Sequence, residues 1–471
     1  MLRYPHNFVG CEITRSLLET IQKLTEKMRQ TTVAFLVLNV LYLCTPTSSG
    51  IWNALFSGKD AEKSTVKLAN GEKLPLIGLE VGHIKASDVE AFVQGAFEGP
   101  NSVRLFDTSH VSHNEHELAK GIVAGVRQVK ESSNEDGPVE VHVVTKVWYT
   151  HLGYERTMIS VRESLRDLGE AIQDPNVDLK IHLMLHWPRC YDGVDWMDCE
   201  GEEHYLPDAV KQADPAPFHN KQNAWKESWK AMEDIYNSKD SYPGVASIGV
   251  ANFKNGDMKA IMNDSRIRPH LVQLNVWSLL HDPTTVNLCN RHNAHMQVFD
   301  VMNGIVSRAK DAPHASGHLR MVAHELSPTE VPLTTAQVVF KWLTQFEISA
   351  VQREQDLILR GIHDLDEEHL KAVGHAVEAI LSGSDMEEDV HVQVTFHAQD
   401  QDMVLFYYPG PTEEDEIMIS YIKKGSHYID LTHPKHSYRL YSAVDPYVYF
   451  DHVVDGYYGD IQHVHVTLQE D

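Results

Sequence analysis

Two periods of hydrophobic and polar positions alternate along most of this chain. Short apolar runs recur at 103–106, 141–145, 179–185, 246–250, 271–274, 296–299 and 348–351. Between them, at 116–129, 156–168, 223–236 and 335–346, apolar residues return every three or four positions, as on one face of a helix. A strand followed by an amphipathic helix, repeated, predicts parallel strands joined by helical crossovers. With a short strand near 76–79 the series makes eight units over about 290 residues, which predicts an α/β fold closed as a (β/α)8 TIM barrel rather than an open sheet. Ahead of the first unit, apolar runs at 66–69 and 74–77 flank Asn70-Gly71, a strong hairpin signal.

The period changes after residue 389. A helix over 366–381 and an acidic stretch ending at Asp389 lead into Val390, Val392, Val394 and Phe396, an alternation of period two. Similar runs at 403–408, 417–422, 437–441 and 464–468 predict a small all-β sandwich. The expected organisation is therefore a leader over 1–50, a barrel over 66–365, a helix and acidic linker over 366–389 and a β-sandwich over 390–471.

The leader has its own signature. An apolar run at 33–44, interrupted only by Asn39, follows Lys27 and Arg29 and precedes small residues at 48–50, the layout of a secretory signal. Translation from Met28 makes it a cleavable signal peptide, whereas Met1 leaves an internal anchor. Either predicts the secretory pathway, with the protein secreted or held at the membrane by this segment. Cys190 and Cys199 flank one loop and can pair in an oxidising compartment, and Asn263-Asp264-Ser265 is an acceptor sequon. A formal charge of −26, roughly half of it after residue 380, argues against a nucleic-acid partner, because phosphate binding needs a basic stripe.

Three of the strand-like runs end in a chemically capable side chain: Asp107, Lys146 and His186. In a barrel such residues meet at the C-terminal face, where active sites are built. The motifs around them are Phe106-Asp107-Thr108, Thr145-Lys146-Val147-Trp148, Leu185-His186-Trp187-Pro188, Gly249-Val250-Ala251-Asn252-Phe253 and Ala336-Gln337-Val338-Val339 before Trp342. Taken in order, and with Asn70-Gly71 and Leu76-Ile77-Gly78-Leu79, they resemble the aldo-keto reductases from about residue 66 to 355. That resemblance implies NADPH-dependent reduction of a small carbonyl substrate to an alcohol. It casts Lys146 as the ammonium that lowers the pKa of a tyrosine proton donor, Asp107 as its partner and His186 as the group that orients the carbonyl.

The tyrosine position itself, five residues beyond the aspartate, holds Ser112. A serine is a weaker acid on a shorter side chain, so activity is expected to be weak or lost. His110, His113 and Tyr149 are the nearby candidates for a rerouted donor, or else ordinary residues of the barrel mouth. On the cofactor side the resemblance assigns Asn252 and Gln273 to the nicotinamide carboxamide, Phe299 to stacking on its ring and Arg353 to phosphate. Ala251 replaces a serine, Asp300 brings a negative charge to the pyrophosphate loop, Glu354 opposes Arg353 and Arg360 is one residue out of register.

Two readings therefore stand at the level of sequence. One is an aldo-keto reductase-like oxidoreductase with an altered proton donor, and the other is a catalytically silent barrel, a pseudoenzyme that binds or scaffolds in the secretory pathway. A long loop over 189–223, with Trp196 and Gly201-Glu202-Glu203, is expected either to set substrate choice or to cap the mouth. No metal site is expected; His433 and His436 lack further ligands at a zinc spacing. Val394-Thr395-Phe396, Ile422-Lys423-Lys424-Gly425 and Thr432-His433-Pro434-Lys435-His436 are faintly similar to the β domain of von Hippel–Lindau proteins. Only the fold is carried over. The sandwich, with its run Tyr447-Val448-Tyr449-Phe450, suits a protein or glycan partner, while core packing also accounts for the aromatics.

Overall fold

The computed structural model describes residues 64–98, 102–132, 137–327, 333–353, 364–386, 391–408, 417–445, 447–456 and 459–468. The signal segment, Glu354 and Arg360 lie outside the described residues. Among those described, no helix is long and apolar enough to cross a membrane.

A hairpin opens the described chain. Strands β1 (Thr65–Lys67) and β2 (Lys73–Pro75) pair antiparallel, with Val66 opposite Leu74. Gly71 takes φ 93° in the connecting turn, a backbone region that strains any residue with a Cβ. Asn70 Nδ2 donates to the Ala246 carbonyl at 2.8 Å and to the Tyr236 hydroxyl at 3.1 Å, fastening the hairpin to the barrel.

Eight parallel strands then close on themselves. They are β3 (Ile77–Glu80), β4 (Leu105–Asp107), β5 (Val139–Val147), β6 (Val177–Leu185), β7 (Val245–Ala251), β8 (Leu271–Asn275), β9 (His295–Phe299) and β10 (Ser349–Gln352). The last pairs with the first through Val351 opposite Gly78. At Gly78 an added Cβ would meet Leu105 Cγ at 2.6 Å, so closure there needs a glycine. The crossover helices bury one stripe each; Glu115–Ser132, for example, turns Leu118, Ile122, Val126 and Val129 inward at spacings of three and four.

Alternation along the strands sorts the barrel interior into layers. Leu68 and Leu74 of the hairpin join Leu105, Val144, Met184, Ala251, Leu271 and Val351 in one buried cluster. Two residues toward the N-terminal ends lies a polar layer. There His142 Nδ1 is 3.1 Å from His182 Nε2, His182 Nδ1 is 2.7 Å from Ser247 Oγ, and His295 Nε2 is 2.9 Å from Ser349 Oγ. Two residues toward the C-terminal ends come Asp107, Lys146, His186 and Gln273.

A helix at Glu367–Ser382 follows, capped at its start by Asp366, whose Oδ1 accepts from the His369 amide at 2.8 Å. Beyond it, β11 (Val392–Ala398), β12 (Met403–Tyr408), β13 (Ile417–Ile422), β14 (His427–Thr432), β15 (Ser437–Ser442), β16 (Tyr449–Val453) and β17 (Ile461–Val466) form two sheets, of order β14-β11-β17 and β13-β12-β15-β16. Val392, Val394, Phe396, Met403, Leu405, Leu440 and Val466 fill the core between them. The sequence reading omits β14 and β16. In β14 the reason is inverted polarity: Ile429 and Leu431 face solvent, while Asp430 turns toward Tyr438 and accepts its hydroxyl at 2.7 Å. The aromatic run around β16 divides, with Val448 and Phe450 on the core and Tyr447 and Tyr449 exposed. Arg320 of the barrel pairs with Asp460 at 3.1 Å.

Candidate active site

Strands β4, β5 and β6 are neighbours, so Asp107, Lys146 and His186 converge at the C-terminal face. Lys146 Nζ donates to Asp107 Oδ1 and, at 3.0 Å, to the Thr108 carbonyl. Both side chains are 5% exposed. Burial pushes the Asp107 carboxyl above its ordinary range, opposed by the Lys146 ammonium and by hydrogen bonds from Lys146 and Gln273. His186 lies beside Trp148, their rings edge to face at 4.9 Å. Burial, and then the Lys146 charge, hold its imidazole well below the usual histidine range, so the ring is neutral near pH 7. Its Nδ1 is buried without a hydrogen-bond partner among the described residues.

Ser112 ends a 3-10 turn, His110–Ser112, that follows β4. Asn114 sets this turn, accepting from Thr108 Oγ1 at 2.7 Å and donating to the Val81 carbonyl at 2.9 Å. The Ser112 hydroxyl is 2.8 Å from Ser109 Oγ, so its hydrogen bond is made within the turn. Two of the rerouted-donor candidates are otherwise engaged. His110 Nε2 is 2.9 Å from Glu163 Oε2. Tyr149 is buried and donates its hydroxyl to Glu202 Oε1 at 2.5 Å, and burial with the adjacent Glu202 raises its pKa, which makes it a poorer acid than free tyrosine.

Glu202 comes from the long loop after β6, which the sequence marks as setting substrate choice or capping the mouth without a specific role for this residue. It accepts from Trp148 Nε1 at 2.7 Å as well as from Tyr149, and its neighbour Glu203 holds the fully buried Arg156 by two hydrogen bonds of 2.8 Å each. Trp196 packs near Trp148 and Trp187, with ring centroids 6.2 and 5.5 Å apart. A disulfide joins Cys190 to Cys199 and pins the start of this loop. The loop therefore covers the aromatic wall beside His186.

The expected cofactor residues fall on the same face. Asn252, at φ 61° just past β7, donates its backbone amide to the Gln273 carbonyl at 3.1 Å, so the two are adjacent. Asn252 Nδ2 donates to the His186 carbonyl at 3.1 Å. Gln273 Nε2 donates to Asp107 Oδ2 at 2.6 Å and to Gln297 Oε1 at 2.8 Å, so this amide is engaged with the Asp107–Lys146 pair, and Gln297 joins the site without a signal in the sequence. Phe299 ends β9 half-buried against the barrel core. A cleft of about 290 Å³ beside it is lined by Glu80, Asp300, Met302, Asn303, Gln352 and Arg353. Arg353 Nε lies 3.2 Å from Glu80 Oε2 and an Nη is 3.7 Å from Asp300 Oδ1. The donor set fits a nicotinamide, with two amides and an aromatic face. In the cleft, Arg353 faces two carboxylates.

Comparison with known proteins bears on the family of the barrel. Residues 75–353 match the aldo/keto reductase family. A 9,11-endoperoxide prostaglandin H2 reductase of Trypanosoma cruzi is 25% identical over 289 residues, spanning 61% of this chain and 80% of that protein. An NAD(P)H-dependent D-xylose reductase of Aspergillus niger is 24% identical over 327 residues, spanning 66% and 92%. Among solved structures, an aldo-keto reductase of Bombyx mori in complex with NADP has a TM-score of 0.48 at 19% identity, covering 67% of this chain and 94% of that one. With the family match extending over more than half its length and the barrel closed as expected, the chain belongs to the aldo/keto reductase family.

Proposed function

We propose that the chain is an NADPH-dependent oxidoreductase of the aldo-keto type, acting on a small carbonyl, in which Ser112 stands where the proton donor is expected. The observation that carries this reading is the buried group Lys146, Asp107 and Gln273 with His186 beside it, built from neighbouring strands. Bound NADPH would supply hydride. Asn252, Gln273 and Phe299 are the residues to hold its nicotinamide, and Arg353 is the one to meet phosphate. A neutral His186 can hydrogen-bond a carbonyl oxygen, and the buried Lys146 ammonium favours negative charge developing there. Without a positioned acid, turnover is expected to be about 10²- to 10⁴-fold below that of a tyrosine-bearing site.

A second reading, a silent binding barrel, is favoured by one specific feature: Arg353 is held between Glu80 and Asp300, which compete with phosphate for it. The β-sandwich would then take a protein or glycan, and exposed Ile417, Met418, Tyr421, Tyr447 and Tyr449 support that role. Its likeness to the von Hippel–Lindau β domain is proposed for the fold alone, supported by the two small sheets. The Cys190–Cys199 disulfide supports a secretory location.

Titration with NADPH, followed by tryptophan quenching, separates the two readings. Saturable binding together with slow aldehyde reduction that Lys146→Met abolishes and Ser112→Tyr accelerates supports the enzyme. Absence of saturable binding up to millimolar NADPH sinks it, and appreciable turnover by the wild type sinks the silent barrel.

A further inference from the structure

A group of two imidazoles and a carboxylate stands beside the Lys146 cluster and has no part in the reaction described above. His110 belongs to the 3-10 turn after β4, His151 to the 3-10 turn Tyr149–His151 after β5, and Glu163 to the helix Tyr154–Asp167. One donor atom from each lies within 4.8 Å of the others, and among the described residues no other three His, Cys, Asp or Glu side chains gather so closely. His110 Nε2 is 2.9 Å from Glu163 Oε2, and the rings of His110 and His151 meet edge to face with centroids 4.8 Å apart.

The fold holds these three in place by contacts outside the group. Asn114 fastens the turn of His110 through Thr108 and Val81. Thr157 Oγ1 donates to the His151 carbonyl at 3.0 Å and Arg156 Nη1 to the Thr150 carbonyl at 3.0 Å, tying the turn of His151 to the helix that carries Glu163. His151 is only 5% exposed. Thr150 Oγ1 lies 3.1 Å from its Nδ1. The Arg156 guanidinium nearby already donates two hydrogen bonds to the Glu203 carboxylate, so it opposes a cation only weakly.

We propose that His110, His151 and Glu163 bind a divalent transition-metal ion, zinc by preference, with solvent in the fourth position. Two histidines and a glutamate form one of the three-ligand sets found in zinc sites that keep an open position, and imidazole suits this metal. Tetrahedral bonds of 2.0–2.1 Å space ligand atoms about 3.3 Å apart, so the present separations need shifts of roughly 1 Å or less. The ion ties the turn that carries Ser112 to the turn that follows Lys146 and Trp148.

The test uses the full chain, stripped with a chelator and titrated with Co2+ while visible absorption is recorded, followed by displacement with Zn2+. One equivalent should bind with the intense visible bands of four-coordinate cobalt, and Zn2+ should remove them. Glu163→Gln should weaken binding at least ten-fold and His151→Gln should abolish the bands. The solvent-facing histidines of the sandwich provide the control: His397 Nε2 lies 3.1 Å from His463 Nδ1, and His397→Gln should leave the bands unchanged. Absence of the bands, or their survival in Glu163→Gln and His151→Gln, overturns the proposal. Should His151→Gln fail to fold, Glu163→Gln decides alone, because that side chain is 34% exposed and the change is isosteric. The titration contains no NADPH, so its outcome is separate from the cofactor reading.

Discussion

Acid should destabilise this barrel through histidines that fold as neutral rings, and His270 allows the effect to be isolated. It is 7% exposed, lies 5.0 Å from the ring of Tyr236, and its Nδ1 accepts the Ile248 amide at 3.2 Å. Burial lowers its pKa from 6.5 to about 4. The unfolded chain therefore takes up a proton before the folded one does, and stability present above pH 6.5 is lost as the pH falls toward 4. Between pH 7 and pH 5 this one group should remove about 1.8 kcal/mol, out of a limit of about 3.4 kcal/mol for the full shift. His182, His295 and His151 are lowered in the same direction by burial, so the wild type should lose more than His270 alone accounts for. Replacing His270 with Asn keeps an acceptor for Ile248 and removes the titration. Urea unfolding at both pH values, read by the fluorescence of buried Trp225, Trp229 and Trp342, measures the difference. His270→Asn should lose about 1.8 kcal/mol less than the wild type between pH 7 and pH 5. Equal losses in the two proteins would refute the reasoning.

Three further outcomes are expected. Lys146→Met should destabilise the fold by about 3–5 kcal/mol, because Asp107 loses its buried partner, and adding Asp107→Asn should recover most of this in the same unfolding assay. Asp300→Asn should tighten NADPH about five-fold, since a unit charge about 4 Å from another contributes about 1 kcal/mol in a water-like medium; an unchanged dissociation constant counts against Arg353 as the phosphate contact. Cys190→Ser should cost about 2.5 kcal/mol, from the short loop that the disulfide closes, and should raise acrylamide quenching of the tryptophans as the segment carrying Trp196 loosens. Unchanged quenching would mean that Glu202 and Glu203 hold the loop without the disulfide.

Hydrophobic periodicity by itself determined the barrel, because eight apolar runs separated by amphipathic stretches leave parallel strands with crossovers as the economical way to bury both. It also determined that Asp107, Lys146 and His186 share one face, since each sits two residues beyond an inward apolar position, Leu105, Val144 and Met184. That Ser112 stands at the proton-donor position is implied by the family resemblance and not by periodicity. Strands β14 and β16 were hidden, because alternation signals a strand only when its polar residues face water, and in β14 an aspartate turns inward while two aliphatics face out. What only the tertiary structure decided is which polar groups are already engaged. Gln273 is 166 residues from Asp107 and Arg353 is 273 residues from Glu80. No local pattern joins such partners, because their meeting depends on closing the sheet into a ring. The same holds for Glu202 over Trp148 and Tyr149, and for His110, His151 and Glu163, which come from two turns and a helix. Their separation in sequence carries no ligand spacing, and the three meet only because β4 and β5 run side by side and deliver their turns beneath one helix.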